Sequence, residues 1–212
     1  MSTHQGHDHS HAVVTESNAK KLTFALILTS TFLVIEVIAG FITQSLALLS
    51  DAAHMFTDAA ALAIALVAIK VGKLPADSKR TFGYQRFEIL AVLFNALMLF
   101  VVAIYILYEA YQRFSQPPDI QSGGMMIVAT IGLVINLISM KILFSSSQES
   151  LNIKGAYLEV LSDAVGSVGV IIGAVIIYFT GWMWVDTLIA VCIGFWVLPR
   201  TWILLKQSIN IL

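Results

Sequence analysis

The sequence has almost no cysteine: Cys192 is the one cysteine among its 212 residues. A single cysteine excludes an intramolecular disulfide and a clustered thiolate metal site, so Cys192 is interpreted as a small apolar core residue of the last helix. Charge is also scarce, because Asp, Glu, Lys and Arg make up 12% of the chain and the net charge is -1. This balance gives no support for a nucleic-acid partner.

Long apolar runs are the dominant feature that is present. Hydrophobic residues make up 58% of the chain and its mean hydropathy is +0.85, which is too apolar for an ordinary soluble domain. Six runs approach the ~20 residues needed to cross a hydrocarbon core. The sequence therefore predicts an all-α membrane protein with six transmembrane helices, at residues 22–42, 46–71, 88–111, 125–144, 156–179 and 184–205. Pro199 is expected to kink or end the last helix.

The basic residues are divided unequally between the two sides of this arrangement. Arg113 falls on one side, and the other eleven of the 12 Lys and Arg residues fall on the other. Because loops rich in Lys and Arg remain in the cytoplasm, both termini are predicted to be cytoplasmic. The six-helix transmembrane domain covers residues 21–207 in this interpretation.

Residues 1–20 are polar and are expected to be a disordered cytoplasmic tail. Histidines alternate there with Gly, Ser and Asp, at His4, His7, His9 and His11. Two interpretations stay open for them: loose collection of divalent metal by closely spaced imidazoles, or a merely solvated tail.

Acidic and imidazole side chains recur at helical spacing inside two apolar runs. Asp51, His54 and Asp58 lie three and four residues apart in the second run, so they share one helical face. Glu159 and Asp163 are four residues apart in the fifth run. If the two helices face each other, these side chains predict a cage of four ligands, His54, Asp58, Glu159 and Asp163.

The energetics require a cation at this cage. Three ionised carboxylates without a partner at mid-membrane would cost roughly 8 to 10 kcal/mol on insertion scales. Neither run has a Lys or Arg near that depth, so protons, a metal ion, or each in turn must neutralise the acids. Crowded carboxylates favour protonation, and an arriving divalent cation would expel those protons. The residues themselves therefore predict exchange of protons for metal.

Three further acids lie within the apolar runs. Asp51 is interpreted as a proton relay or a support for the metal ligands, or else as a helix-end cap. Glu36 is costly to bury and is predicted to line a hydrated proton path. Asp186, near the other face of the membrane, is expected to help metal release or to be solvated.

Three motifs carry a resemblance to a known family. They are residues 45–58 (SLALLSDAAHMFTD), 81–95 (TFGYQRFEILAVLFN) and 155–170 (GAYLEVLSDAVGSVGV). In this order, and on these spans, they resemble the cation diffusion facilitator family, and its cobalt-zinc-cadmium efflux branch most closely. The resemblance covers nearly all of the chain after the tail.

The resemblance implies a homodimeric exporter of divalent metal ions, driven by proton influx and embedded in a bacterial inner membrane. His54 and Asp58 match the family's ligand pair on the second helix, and Asp163 matches its second acid on the fifth. Zn²⁺, Co²⁺ or Cd²⁺ would be transported substrate, with no permanent cofactor. Glu159 stands where zinc-transporting relatives commonly have His, which makes the site harder and favours Co²⁺ more than a site with two imidazoles would.

The end of the chain differs from the family pattern. The resemblance implies that members usually continue into a small cytoplasmic metal-binding domain, whereas this chain stops at Leu212. Either the domain is naturally absent or the sequence is a fragment of a longer protein.

Two other functions are considered. An intramembrane metalloenzyme would need an HExxH motif or an open coordination position with a general base, and neither surrounds His54. A metal sensor or scaffold without net transport is the remaining alternative.

Overall fold

The computed structural model describes residues 16–71, 83–145, 147 and 151–211, and six α-helices lie within them. Their bounds are α1 Glu16–Thr43, α2 Leu46–Val71, α3 Gly83–Ser115, α4 Ser122–Phe144, α5 Leu151–Thr180 and α6 Trp184–Ile211. Within the described residues, five helices contain a stretch long and apolar enough to span a membrane. The exception is α2, whose side chains are described only in its first half. The all-α prediction is confirmed.

Most helices run past the apolar segments that predicted them. The first begins at Glu16 instead of residue 22, and the third continues from Gly83 to Ser115, because backbone hydrogen bonding does not stop where hydrophobicity does. Pro199 lies inside α6, which continues to Ile211. The alternative in which Pro199 ends the helix is therefore wrong, as membrane helices often tolerate an internal proline whose freed carbonyl is satisfied locally.

Close packing joins the helices into one bundle. The closest neighbours are α4 with α5, α3 with α6, and α1 with α2, while α2 also contacts α5 and α6. Gly132 on α4 allows the fully buried Phe32 ring of α1 to approach, since a Cβ at that glycine would lie 2.5 Å from the ring. This arrangement places α2 and α5 side by side, as the predicted site requires.

The beginning of α2 is hydrogen-bonded to one carboxylate of α6. Asp186, which is completely buried, accepts hydrogen bonds from the Ser45 hydroxyl (2.6 Å) and from the Leu46 and Ala47 amides (2.7 and 3.2 Å). These amides belong to the first turn of α2, where no intrahelical acceptor exists. The prediction that Asp186 is solvated is therefore wrong, because the folded bundle brings the α2 N-terminus against it.

Candidate metal centre

Three of the four predicted ligands converge between α2 and α5. His54 Nε2 lies 3.6 Å from an Asp58 carboxylate oxygen and 4.0 Å from an Asp163 carboxylate oxygen. One ligand atom from each of the three residues lies within 4.8 Å of the others. All three side chains are buried. Two of them come from one face of α2 and the third from α5, as the helical spacing predicts.

These distances are close to those of a tetrahedral metal site. Zinc bonds to imidazole nitrogen and carboxylate oxygen measure about 2.0–2.2 Å, which separates ligand atoms in a tetrahedron by about 3.3–3.6 Å. His54 and Asp58 already match that separation, and Asp163 is a few tenths of an ångström farther away. The ligand atoms of Asp58 and Asp163 lie within 4.8 Å of each other, so side-chain adjustments would bring all three residues to a divalent ion.

Glu159 is not part of this three-residue cluster. It lies one turn before Asp163 on α5, is half-buried, and lines a cavity of about 550 Å³ with Leu158, Ser162, Trp196 and Pro199. A second cavity, of about 560 Å³, shares Leu158, Ser162 and Trp196 with the first and reaches Asp51 and His54. Adjoining space along α5 and α6 therefore connects Glu159 with the cluster.

Cys192 also lines the cavity that reaches His54. It is exposed, so its interpretation as a core residue is wrong. The reason is its position on α6, where Leu188, Phe195 and Trp196 are exposed on the same side of the helix.

Asp51 and Glu36 form a second acidic pair next to the cluster. Both are buried, at 2% and 1% exposure, and their carboxyl groups lie close enough to interact with each other. Glu36 is also close enough to Asp163 to interact with its carboxyl group. The α2 N-terminus, meanwhile, is capped by the Ser45 hydroxyl, which accepts from the Leu48 amide at 3.1 Å, so the cap lies at Ser45 instead of Asp51.

Gly166 permits the close approach of α5 to Asp51. A Cβ at Gly166 would lie 2.9 Å from an Asp51 carboxylate oxygen, whereas a Cβ at Gly169 would meet nothing within 4 Å. Both glycines are half-buried and line the same cavity. A side chain at position 166 would therefore crowd the Asp51 carboxylate, whereas a side chain at position 169 would enter open space.

We expect Gly166→Ala to weaken zinc binding about tenfold, which corresponds to the 1–3 kcal/mol cost of inserting a methyl group into a packed interface. The added methyl must displace the Asp51 carboxylate or move α5, and with it Asp163, away from His54. Titration calorimetry of the detergent-solubilised protein measures the effect. Gly169→Ala is the matched control and should bind zinc as the parent chain does; equal affinities for all three proteins would contradict this account of Gly166.

The four N-terminal histidines lie outside the described residues: His4, His7, His9 and His11.

Asp186 is the structurally important residue whose role the sequence did not reveal. Its only signal was an acid in the first turn of α6, and its hydrogen-bond partners are about 140 positions away in the chain.

Comparison with known proteins adds independent information. Residues 22–212 match the model of the cation efflux transmembrane domain. The chain is 66% identical, over 98% of its length, to the metal cation efflux system protein CzcD of Cupriavidus metallidurans. It is 43% identical to the cadmium, cobalt and zinc/H(+)-K(+) antiporter of Bacillus velezensis over 98% of its length, and 42% identical to the zinc transporter ZitB of Escherichia coli over 96%.

These matches cover 65% of the Cupriavidus protein and 66% of the other two. The chain thus spans just under two thirds of the length of the curated relatives.

Proposed function

The chain belongs to the cation efflux family, and from this premise we propose that it carries divalent metal ions out of the cytoplasm in exchange for protons. The observation that carries the proposal is the buried cluster of His54, Asp58 and Asp163 between α2 and α5. Acidic side chains at that depth are costly unless a cation neutralises them. A buried site of two carboxylates and an imidazole can bind either protons or a metal ion, so it is suited to exchanging one for the other.

Proton exchange follows from the chemistry of the ligands. Carboxylates and imidazole bind a metal in their deprotonated forms, so metal binding releases protons and proton binding releases metal. The name of the Bacillus relative includes H(+) as an exchanged ion. Asp51 and Glu36, which are buried together next to the cluster, are proposed to line the proton route.

Glu159 is proposed to complete the metal coordination as the fourth ligand. It lies one helical turn from Asp163, and the adjoining cavities leave space between Glu159 and the cluster. A carboxylate at this position makes the ligand set one nitrogen and otherwise oxygen, which favours harder divalent ions more than a second imidazole would. Co²⁺ and Cd²⁺ are therefore proposed as substrates together with Zn²⁺, in line with the cobalt and cadmium in the name of the Bacillus relative.

The topology, the cellular location and the oligomeric state are also proposed. The uneven distribution of Lys and Arg supports cytoplasmic termini, and the similarity to bacterial efflux proteins supports an inner-membrane location in a bacterium. The family resemblance supports a homodimer. The histidines of residues 1–20 are proposed to collect metal only loosely, so transport should survive their removal.

Flux in reconstituted liposomes tests the proposal. With an imposed pH gradient, the chain should move Zn²⁺, and a pH probe on the far side should report proton movement in the opposite direction. Zinc flux with a silent pH probe would contradict proton exchange. Binding without flux would favour a sensor or scaffold, and turnover of a peptide or lipid would favour an intramembrane metalloenzyme.

The same assay tests Glu159. Flux measured with Zn²⁺, Co²⁺ and Cd²⁺ in competition should shift toward Zn²⁺ in Glu159→His, because a second imidazole suits zinc better than carboxylate oxygen does. An unchanged order of the three metals would remove Glu159 from the proposed ligand set while leaving metal export itself intact.

A further inference from the structure

A groove lies on the outside of the bundle, and its lining does not include the three residues of the metal cluster. Its floor is α2 and its walls are α1 and α3, and it encloses about 770 Å³. Most of its lining is aliphatic or aromatic. Several of its side chains are more than half exposed, including Val34, Ile38 and Phe41 of α1 and Tyr105 of α3. The described part of the chain leaves this apolar surface for something else to cover.

One end of the groove is polar. Gln44, Glu109 and Arg113 line the groove and also line an adjoining, mostly polar cavity of about 480 Å³. There Arg113 donates to a Glu109 carboxylate oxygen (2.9 Å) and to the Gln44 carbonyl (2.6 Å). Glu109 and Arg113 are the two charged residues among those that line the polar cavity. The surface therefore changes continuously from a long apolar groove to a polar cavity that holds one acid and one base.

The length of the groove matches one leaflet of a bilayer. Its α3 lining runs from Val102 to Arg113, which is about 16 Å at 1.5 Å per residue. Half of a hydrocarbon core of about 30 Å is about 15 Å. A transmembrane helix of a second copy would cross both leaflets, whereas the described lining of this groove extends through only one. Its dimensions therefore suit a chain that begins at the membrane surface and ends near the midplane.

We propose that the groove binds a phospholipid, with an acyl chain against α2 and the headgroup in the polar cavity. The lipid phosphate would lie at Arg113, because guanidinium is well suited to phosphate oxygens. A headgroup ammonium would lie at Glu109. This complementary acid and base assign the occupant to the zwitterionic amine class, of which phosphatidylethanolamine is the bacterial example.

Native mass spectrometry of the full chain tests the apolar part of the site. Val34 lines the groove, whereas the neighbouring Ile35 is exposed on α1 without lining it. Val34→Trp should fill the groove and lose the phosphatidylethanolamine that the parent chain retains, while Ile35→Trp should retain it. Equal retention by both variants would overturn the proposal. So would a Val34→Trp protein that keeps its lipid but no longer dimerises, since the groove would then be a contact between copies.

Titration with defined lipids tests the headgroup. Phosphatidylethanolamine should bind more tightly than phosphatidylglycerol, and Arg113→Gln should weaken its binding roughly tenfold, the size expected for loss of a charge-assisted hydrogen bond. Glutamine keeps an amide that can donate to the Gln44 carbonyl, which protects the local fold. Lys141→Gln, an exposed basic residue in the last turn of α4, is the charge control and should bind as the parent does. Equal or tighter binding of phosphatidylglycerol would overturn the assigned headgroup class.

Discussion

Asp163→Ala is expected to abolish metal-dependent stabilisation and metal flux while leaving the empty protein folded. Asp163 is 2% exposed and supplies the α5 ligand within reach of His54. Zinc at a hundred times its dissociation constant should stabilise the parent chain by about 2.7 kcal/mol. The variant should gain little of this, because Asp163 is the α5 member of the three-residue cluster, and without it only the proposed ligand Glu159, which lies outside the cluster, remains to connect α5 to α2.

The change in melting temperature without metal distinguishes the loss of a ligand from misfolding of the variant. Removing one buried acid from a group of acids relieves repulsion and desolvation, so without metal the variant should melt at the same temperature as the parent or higher. Thermal melts with and without Zn²⁺ measure both effects. Asp119→Ala, at an exposed acid between α3 and α4, is the control and should respond to zinc normally. A zinc-induced shift in Asp163→Ala equal to that of the parent would remove Asp163 from the site.

Asp186→Ala is expected to destabilise the bundle by roughly 2–4 kcal/mol, since hydrogen bonds to a charged acceptor contribute about 1.5–3 kcal/mol each and their losses are not additive. The change removes the acceptor for the Ser45 hydroxyl and for the Leu46 and Ala47 amides. It also removes a negative charge from the positive end of the α2 dipole. Hydrogen exchange should accelerate at Leu46 and Ala47 before it does elsewhere in α2.

A second variant separates the loss of charge from the loss of the acceptor. Asp186→Asn keeps an oxygen that can accept from the α2 amides, so it should lose less stability than Asp186→Ala. Because α2 also carries His54 and Asp58, zinc binding should weaken in the same order as stability. An unchanged melting temperature and unchanged hydrogen exchange at Leu46 in Asp186→Ala would show that the hydrogen bonds between α6 and α2 do not contribute to stability.

Glu159 and Cys192 show that helical spacing and composition do not predict which side chains contact other helices. Spacing of four residues correctly places Glu159 and Asp163 on neighbouring turns of α5, yet only Asp163 joins the three-residue cluster while Glu159 lines the adjoining cavity. Cys192 is apolar enough for a core, but its side of α6 is exposed. In a membrane helix every face is hydrophobic, so composition does not distinguish the face that contacts protein from the face that contacts lipid.

The sequence alone determined the features that depend on local order. Apolar run lengths determined the number of helices, and spacings of three and four determined that His54 and Asp58 share a face. The tertiary structure decided which distant residues meet: α5 beside α2 at Gly166, Asp186 against the start of α2, and an open groove between α1 and α3. Periodicity is a property of one helix, whereas contacts depend on how helices rotate and pack, which hydrophobic patterns in a membrane do not specify.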